Sequence, residues 1–103
     1  MGVDLMTYRN RKLLDAARDV PRCFGCSKTN EGDVVAAHSN QLRDGKGRGH
    51  KAADYRIAFL CHGCHSELDQ GFRMSRQERI DFWEAAHRHS VAWLFESGKV
   101  VAA

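Results

Sequence analysis

The chain has 103 residues with a net charge of +3, and 43% of the residues are hydrophobic, which predicts one small domain over residues 1–103. No stretch approaches the ~18 apolar residues of a membrane span, and charged residues interrupt the N-terminal segment where a signal peptide needs an apolar run. We therefore expect no membrane segment, a cytoplasmic location, and a core small enough that a structural metal would contribute strongly to folding.

The positive charge is unevenly distributed along the chain. Residues 9–56 contain 11 Lys and Arg against 6 Asp and Glu, whereas residues 57–103 contain 5 against 6. A local excess of this kind favours a polyanionic partner.

The first predicted element is a short helix over residues 8–19, in which Leu13, Leu14 and Ala17 can share one face. Pro21, the only proline, is predicted to end it. The basic side chains of this helix either contact a phosphate backbone or form a solvated face, and the pattern leaves both open.

Two strands and a second helix are predicted in the middle of the chain. Residues 34–37 are β-branched and then small, which favours a strand that ends at His38. Residues 56–60 form the second predicted strand. A helix over residues 63–70 follows, and Gly71 suits its C-terminal end.

A long C-terminal helix is predicted from a capping box at Ser75-Arg76-Gln77-Glu78 to about Ser97, with Gly98 just past its end. Its apolar surface comprises Ile80, Trp83, His87, Val91 and Leu94 on one side, widened by Phe82, Trp93 and Phe95. This width predicts packing against the rest of the domain and a second contact, such as a homodimer through this helix.

The four cysteines form two pairs of identical spacing, Cys23-Phe24-Gly25-Cys26 and Cys61-His62-Gly63-Cys64. Two thiols at i and i+3 can bind one ion, and Gly25 allows the tight turn that this requires. Four thiolates in two such pairs predict a tetrahedral site for structural Zn²⁺. The alternatives are two redox pairs or buried free thiols, but two cysteine pairs that flank a predicted finger have little use other than metal binding.

Residues 39–55 form a long polar connection, and loops of this length are usually functional or disordered. Glycines alternate with cations from Gly45 to Lys51, so that backbone amides can approach an anion whose charge the cations neutralise. The predicted nucleic-acid contacts are Arg43, Lys46, Arg48, His50 and Lys51. The alternative is a flexible, solvated loop.

The features follow the order of a treble-clef zinc finger. They are a cysteine pair, a strand, a histidine, a basic loop, a second strand, the second cysteine pair, a histidine and a helix. The stretch from Cys23 to about Gly71 resembles the HNH, or ββα-metal, endonucleases, in particular the small HNH-like nucleases encoded by lambdoid phages and prophages. The residues that carry this resemblance are Cys23-x-x-Cys26, Val35-Ala36-Ala37-His38, Gly45-Lys46-Gly47, Lys51-Ala52-Ala53-Asp54 and Leu60-Cys61-x-x-Cys64-His65-x-x-x-Asp69-x-Gly71. It implies an α+β fold with a finger core at 23–71, between a short N-terminal helix and the C-terminal helix at about 75–97.

The resemblance also implies metal-dependent hydrolysis of phosphodiester bonds in DNA, with RNA left open, in the host cytoplasm if the protein is phage-encoded. His38 would be the general base that takes a proton from water. His65 would hold a divalent cation, Mg²⁺ or Mn²⁺, that stabilises charge on the phosphate and on the leaving 3′ oxygen. The alternatives are a structural or zinc-binding role for His38 and a surface or supporting role for His65.

The sequence departs from the family pattern at two positions. Many relatives have an acidic residue directly before the base, where this chain has Ala37, and an asparagine where it has Arg56, which cannot ligate a cation. Two carboxylates can replace the missing ligand. Asp69 is preferred because it shares a helix face with His65, and Asp54 at the end of the loop is the alternative.

Two functions without catalysis compete with the nuclease. One is a zinc module that binds DNA or RNA through the basic loop, and the other is a protein-interaction adaptor with the long helix as its docking face. A binding module needs neither His38 nor the pairing of His65 with Asp69, and their presence favours the enzyme.

Overall fold

The computed structural model describes residues 8–41 and 51–102. Along the chain it contains α1 (Arg11–Asp15) with a 3₁₀ turn (Ala16–Asp19), β1 (Val34–His38), β2 (Ile57–Cys61), α2 (His62–Gln70) and α3 (Arg76–Glu96). The predicted α+β class is confirmed, since a two-stranded antiparallel sheet packs against three helices. Within these ranges, no helix is both long and apolar enough to cross a membrane.

The N-terminal helix begins at Arg11, three residues later than predicted, because Asn10 caps it. The Asn10 side chain accepts a hydrogen bond from the backbone N–H of Lys12 at 3.1 Å, which satisfies one of the free amides of the first turn. The helix tightens into the 3₁₀ turn, and Val20 then adopts an extended conformation. The residue before a proline is excluded from the helical region, so Pro21 ends the helix as predicted.

The two strands pair so that Val34 lies opposite Cys61 and His38 lies opposite Ile57. His38 and the second cysteine pair are therefore at opposite ends of the sheet. Successive side chains of a strand point to opposite faces, and the two faces cover separate parts of the core. One face packs toward α1 through Val34, Ala36, Ile57 and Phe59, and the other packs toward α2 through Ala37, Ala58 and Leu60.

Hydrogen bonds from other elements satisfy the backbone groups of β2 that face away from β1. The Phe59 N–H donates to Ser90 Oγ at 2.9 Å, and the Phe59 carbonyl accepts from the Phe24 N–H at 3.0 Å. His87 Nδ1 lies 2.7 Å from the carbonyl oxygen of Ile57. These contacts explain why a fully buried serine lies on the apolar side of α3.

The long helix is confirmed from its capping box to its end. Ser75 Oγ accepts from the Glu78 N–H at 3.1 Å, and the Glu78 carboxylate accepts from the Ser75 N–H at 2.7 Å. Gly98 follows the helix at φ +83, a conformation that glycine adopts without strain. The fully buried line differs from the predicted one and comprises Trp83, Ala86, Ser90 and Leu94. Phe95 remains 53% exposed.

The second helix ends where predicted, with Gly71 directly after Gln70. Gly71 is extended there, with φ −77 and ψ 171, so the helix does not end through a left-handed residue. Arg79 of α3 donates instead to the carbonyls of Leu68 and Gly71. A guanidinium at this position offsets the negative end of the helix dipole and fixes α2 against α3.

Candidate metal centre and histidine–aspartate pairs

The four cysteines lie together, with all of their Sγ atoms within 4.8 Å of one another. The Cys23–Cys64 and Cys26–Cys61 sulfur pairs are 3.7 and 3.8 Å apart. A tetrahedron of thiolates around Zn²⁺, with Zn–S bonds of about 2.3 Å, has edges of about 3.8 Å. The residues therefore fit a metal ion such as Zn²⁺, and all four are free cysteines without a disulfide in this structure.

Backbone amides favour the thiolate form of Cys23. Cys23 Sγ accepts from the N–H groups of Gly25 at 3.3 Å and Cys26 at 3.4 Å. Burial opposes ionisation of Cys23, but hydrogen bonds from the backbone amides of Cys26, Cys61 and Gly25 outweigh it and lower the pKa of the thiol to about 7. The thiolate is the form that binds metal.

Gly25 is required by packing, and its backbone is not in the left-handed conformation that would favour glycine. A Cβ atom at this position would lie 2.6 Å from Phe82 Cζ and 2.9 Å from Leu60 Cδ2, both far inside van der Waals contact. The residue that adopts the left-handed conformation is Ser27, with φ 70. The first cysteine pair is therefore wedged between β2 and α3.

His38 pairs with the buried Asp54. Its Nε2 lies 2.8 Å from Asp54 Oδ1, and the side chains are 15% and 5% exposed. Asp54 Oδ1 also accepts from Arg9 Nη1 at 3.2 Å, and Oδ2 accepts from the Asn10 N–H at 2.7 Å. Burial alone would raise the pKa of Asp54, but the hydrogen bonds from His38 and the Asn10 amide lower it overall. Asp54 is therefore an anion in the folded protein.

The His38–Asp54 pair lines a cleft of ≈ 270 Å³, and the other residues of its wall are Arg9, Arg11, Leu14 and Lys51. Three of these four carry a positive charge. Lys51 is thus the one predicted nucleic-acid contact that the structure describes, and it lies beside His38. The other predicted contacts, Arg43, Lys46, Arg48 and His50, lie outside the described residues.

His65 forms the second pair, with Asp69 one turn further along α2. Its Nε2 lies 3.1 Å from Asp69 Oδ2, and the side chains are 37% and 40% exposed. Asp69 Oδ1 accepts from Asn40 Nδ2 at 2.9 Å. Asp69 and Asn40 face a second cleft, of ≈ 290 Å³, between α2 and α3.

The two pairs are separate groups of side chains. Ala37 faces α2, so alternation along β1 turns His38 toward α1. No three of the side chains of His38, Asp54, His65 and Asp69 have their ligand atoms within 4.8 Å of one another. Asp54, the alternative cation ligand, is therefore brought to His38 and not to His65. Asn40, which contacts Asp69, follows His38 by two residues. Because two residues span at most about 7 Å, the main chain at His38 is close to the second pair.

Several polar residues of these sites gave no local signal in the sequence. Arg9 reaches Asp54 across the chain, and no spacing rule predicts such a contact. Arg56 pairs with Glu84 and stacks over Trp83 at 4.7 Å, where the family pattern has an asparagine. Asn40 could have been identified from the sequence as a candidate site residue, because it is a short polar residue two positions after His38.

Comparisons of the chain with protein-family models, with curated proteins and with solved structures find no significant match. Its function must therefore be inferred from the chemistry of the cysteine cluster, the two pairs and the basic cleft.

Proposed function

We propose that the protein is a metal-dependent endonuclease or nickase of the HNH type, built on a treble-clef zinc finger, that hydrolyses phosphodiester bonds in DNA. The observation that carries this proposal is the position of His38. The buried Asp54 carboxylate holds its imidazole in a cleft that three basic side chains line. An imidazole that donates one N–H to a carboxylate has its other nitrogen available to accept a proton.

The cleft has the charge that a phosphodiester requires. Arg9, Arg11 and Lys51 surround His38, and guanidinium groups bind phosphate oxygens with two parallel hydrogen bonds. Arg9 already donates to the carbonyls of Lys51 and Ala52 at 3.0 and 2.6 Å, which fixes its direction. A phosphate that enters the cleft is thereby held against the imidazole.

The His65–Asp69 pair is the proposed site of the catalytic Mg²⁺ or Mn²⁺. Imidazole and carboxylate oxygen suit these ions, and both side chains are exposed enough to leave positions for water and phosphate. Asn40 can offer its amide oxygen after a half-turn of the amide. A bound cation would stabilise the charge that develops on the phosphate and on the leaving oxygen.

In the proposed step, His38 takes a proton from a water molecule as the water oxygen attacks phosphorus. The bond from phosphorus to the 3′ oxygen breaks, and that oxygen takes a proton from a solvent water molecule, which leaves a 5′-phosphate and a 3′-hydroxyl. The cysteine cluster takes no part in this step. With Zn²⁺ bound, it would fix the corner between β2 and α2 from which His65 projects.

A second candidate is a zinc module that binds DNA or RNA without cleaving it. It is favoured by the small ligand set at α2, where His65 and Asp69 already contact each other and a third ligand requires Asn40 to rotate. A homodimer through α3 is compatible with both functions, and the exposed Phe95 is where the helix offers an apolar contact.

Cleavage of supercoiled plasmid across a series of divalent cations tests the proposal. The wild type should nick or cut in Mg²⁺ or Mn²⁺, and His38→Ala should lose activity by about 10²-fold or more. His89→Ala is the matched control, because His89 is exposed on α3 and stacks on Phe24, away from the cleft.

Equal cleavage by the wild type and His38→Ala would contradict the assignment and point to a contaminating nuclease. Plasmid binding by both proteins that weakens with salt, with no cleavage by either, would instead establish the binding module.

A further inference from the structure

The Asp54 carboxylate is held from every side. Oδ1 accepts from His38 and Arg9, and Oδ2 accepts from the Asn10 backbone. The Asp54 N–H donates to the Tyr8 carbonyl at 3.0 Å, so its main chain is tied to the segment that precedes α1. These hydrogen bonds hold the Asp54 carboxylate in one orientation.

This arrangement leaves no ready place for a cation on Asp54. Each oxygen already has a donor within hydrogen-bond distance, and one of these donors is a backbone amide that cannot rotate away. A cation would need the carboxylate to give up Arg9 or His38, both of which point hydrogens at it. Asp54 therefore acts on its neighbours rather than on a metal.

We infer that Asp54 is the positioning residue of His38, which fixes the imidazole as the tautomer with its proton on Nε2 and so makes Nδ1 the base. The role of Nδ1 as the base rests on the proposed function, whereas the position of the proton on Nε2 follows from the contact with Asp54 alone. An ionised carboxylate only accepts hydrogen bonds, so the Nε2 atom that faces it at 2.8 Å must carry the proton. Among the residues that the structure describes, none is hydrogen-bonded to Nδ1.

The variant Asp54→Asn has a specific expected effect on the tautomer. Its amide must place an NH₂ group where one carboxylate oxygen was. If the NH₂ group takes the place of Oδ2, it faces the Asn10 N–H, which can only donate. In the place of Oδ1 the NH₂ group meets His38, which can become an acceptor by moving its proton to Nδ1, and the half-exposed Arg9, which keeps its hydrogen bonds to the carbonyls of Lys51 and Ala52. The arrangement of lower free energy therefore has His38 in the wrong tautomer.

The tautomer can be measured by ¹⁵N NMR of the imidazole nitrogens in full-length, zinc-loaded protein, in mildly alkaline buffer where imidazoles are neutral. His38 signals are assigned by their loss in His38→Ala. In the wild type we expect a protonated, pyrrole-type Nε2 and a pyridine-type Nδ1. In Asp54→Asn we expect the two shifts to exchange.

Cleavage kinetics supply the second measurement. Asp54→Asn should lower kcat by about 10²-fold, with KM changed by less than about three-fold, because a misplaced proton removes the base and not the binding site. Asn10→Ala is the matched control. It removes the α1 cap but keeps the backbone N–H that contacts Asp54, so tautomer and kcat should remain those of the wild type.

Several results would overturn the inference. One is a proton on Nδ1 of His38 in the wild type, which needs no folded variant to detect. Another is an Asp54→Asn protein with the wild-type tautomer and rate, and a third is an equal loss of kcat in Asn10→Ala. If the wild type cleaves no nucleic acid, the proposed function fails, and the tautomer measurement alone decides whether Asp54 positions His38.

Discussion

The molecule contains the same chemical pair twice, and the two copies differ in almost everything except their atoms. His38 and Asp54 are buried, 16 residues apart in the chain, and share their hydrogen bonds with Arg9 and the Asn10 backbone. His65 and Asp69 are half-exposed on one helix, four residues apart, with one amide contact from Asn40.

The comparison indicates that surroundings decide what a histidine–aspartate pair can do. The buried pair has one arrangement, because every alternative leaves a donor or an acceptor without a partner, and such groups are costly to bury. The exposed pair can exchange its internal contact for a cation, because water replaces whatever is lost. The first pair suits a proton held in one position, and the second suits the exchange of its internal contact for another ligand.

Removal of the metal from the cysteine cluster should break both pairs together, which is the largest effect we expect. Apparent binding free energies of structural Zn²⁺ are about 10–16 kcal/mol in small zinc domains, which is comparable to the whole net stability of about 5–15 kcal/mol of a native protein. A chelator should abolish cooperative unfolding and the dispersed histidine NMR signals, and added Zn²⁺ should restore both. Unchanged spectra in metal-free protein would contradict a structural role.

His65→Ala should separate the two metal sites. The variant should retain one Zn²⁺ per chain, measured by elemental analysis, and lose Mn²⁺ binding, measured by titration calorimetry. Cleavage should fall by about 10²-fold or more, because a catalytic cation contributes several kcal/mol. His62→Ala, which removes an exposed histidine of the same helix turn, is the control. Loss of zinc from His65→Ala would make His65 a ligand of the structural site.

Asparagine substitutions should show the difference in stability between the pairs. Asp54→Asn replaces an ionised acceptor, which holds His38, Arg9 and the Asn10 N–H, by a neutral amide, and we expect a loss of about 2–3 kcal/mol in the free energy of unfolding. Asp69→Asn replaces one member of an exposed ion pair, and should cost less than about 0.5 kcal/mol. Urea unfolding of the zinc-loaded variants measures both. Equal losses would mean that burial does not distinguish the pairs.

Acid should reduce the larger of these two losses. Because the folded-state pKa of Asp54 is lowered, its carboxylate stabilises the fold at pH values above the unfolded pKa of about 3.9. This contribution disappears as the pH falls through the folded-state pKa. The stability difference between wild type and Asp54→Asn should therefore shrink as the pH falls below about 4. A difference that grows below about pH 4 would reverse the assigned direction.

Local features of this protein were readable in the sequence. The cysteine spacing, the Ser75–Glu78 capping box and the contact between His65 and Asp69 each depend on residues at most four positions apart, where helix and turn geometry fix the distance. The two strands were placed within one residue, because β-branched and apolar runs have few other uses in a small domain.

Features that depend on distant residues were not readable. Asp54 was considered as a cation ligand, whereas the fold brings it to His38, and only the path of the chain before α1 decides between them. Arg9 and Ser90 meet their partners across 45 and 31 residues. The contact of Gly25 with Phe82 depends on where α3 crosses the sheet. Such contacts follow from closing long loops, which sequence patterns do not encode.

The hydrogen bond from Phe59 to Ser90 has a consequence for how this protein can associate. An outer strand with unpaired amides and carbonyls is a template for another chain, which can add itself as a further strand. On β2 that template is removed, because a serine hydroxyl and a neighbouring main chain occupy the groups that an incoming strand would need. The sheet is held at two strands on this side, and Ser90→Ala would leave the buried Phe59 amide there without an acceptor, which costs stability.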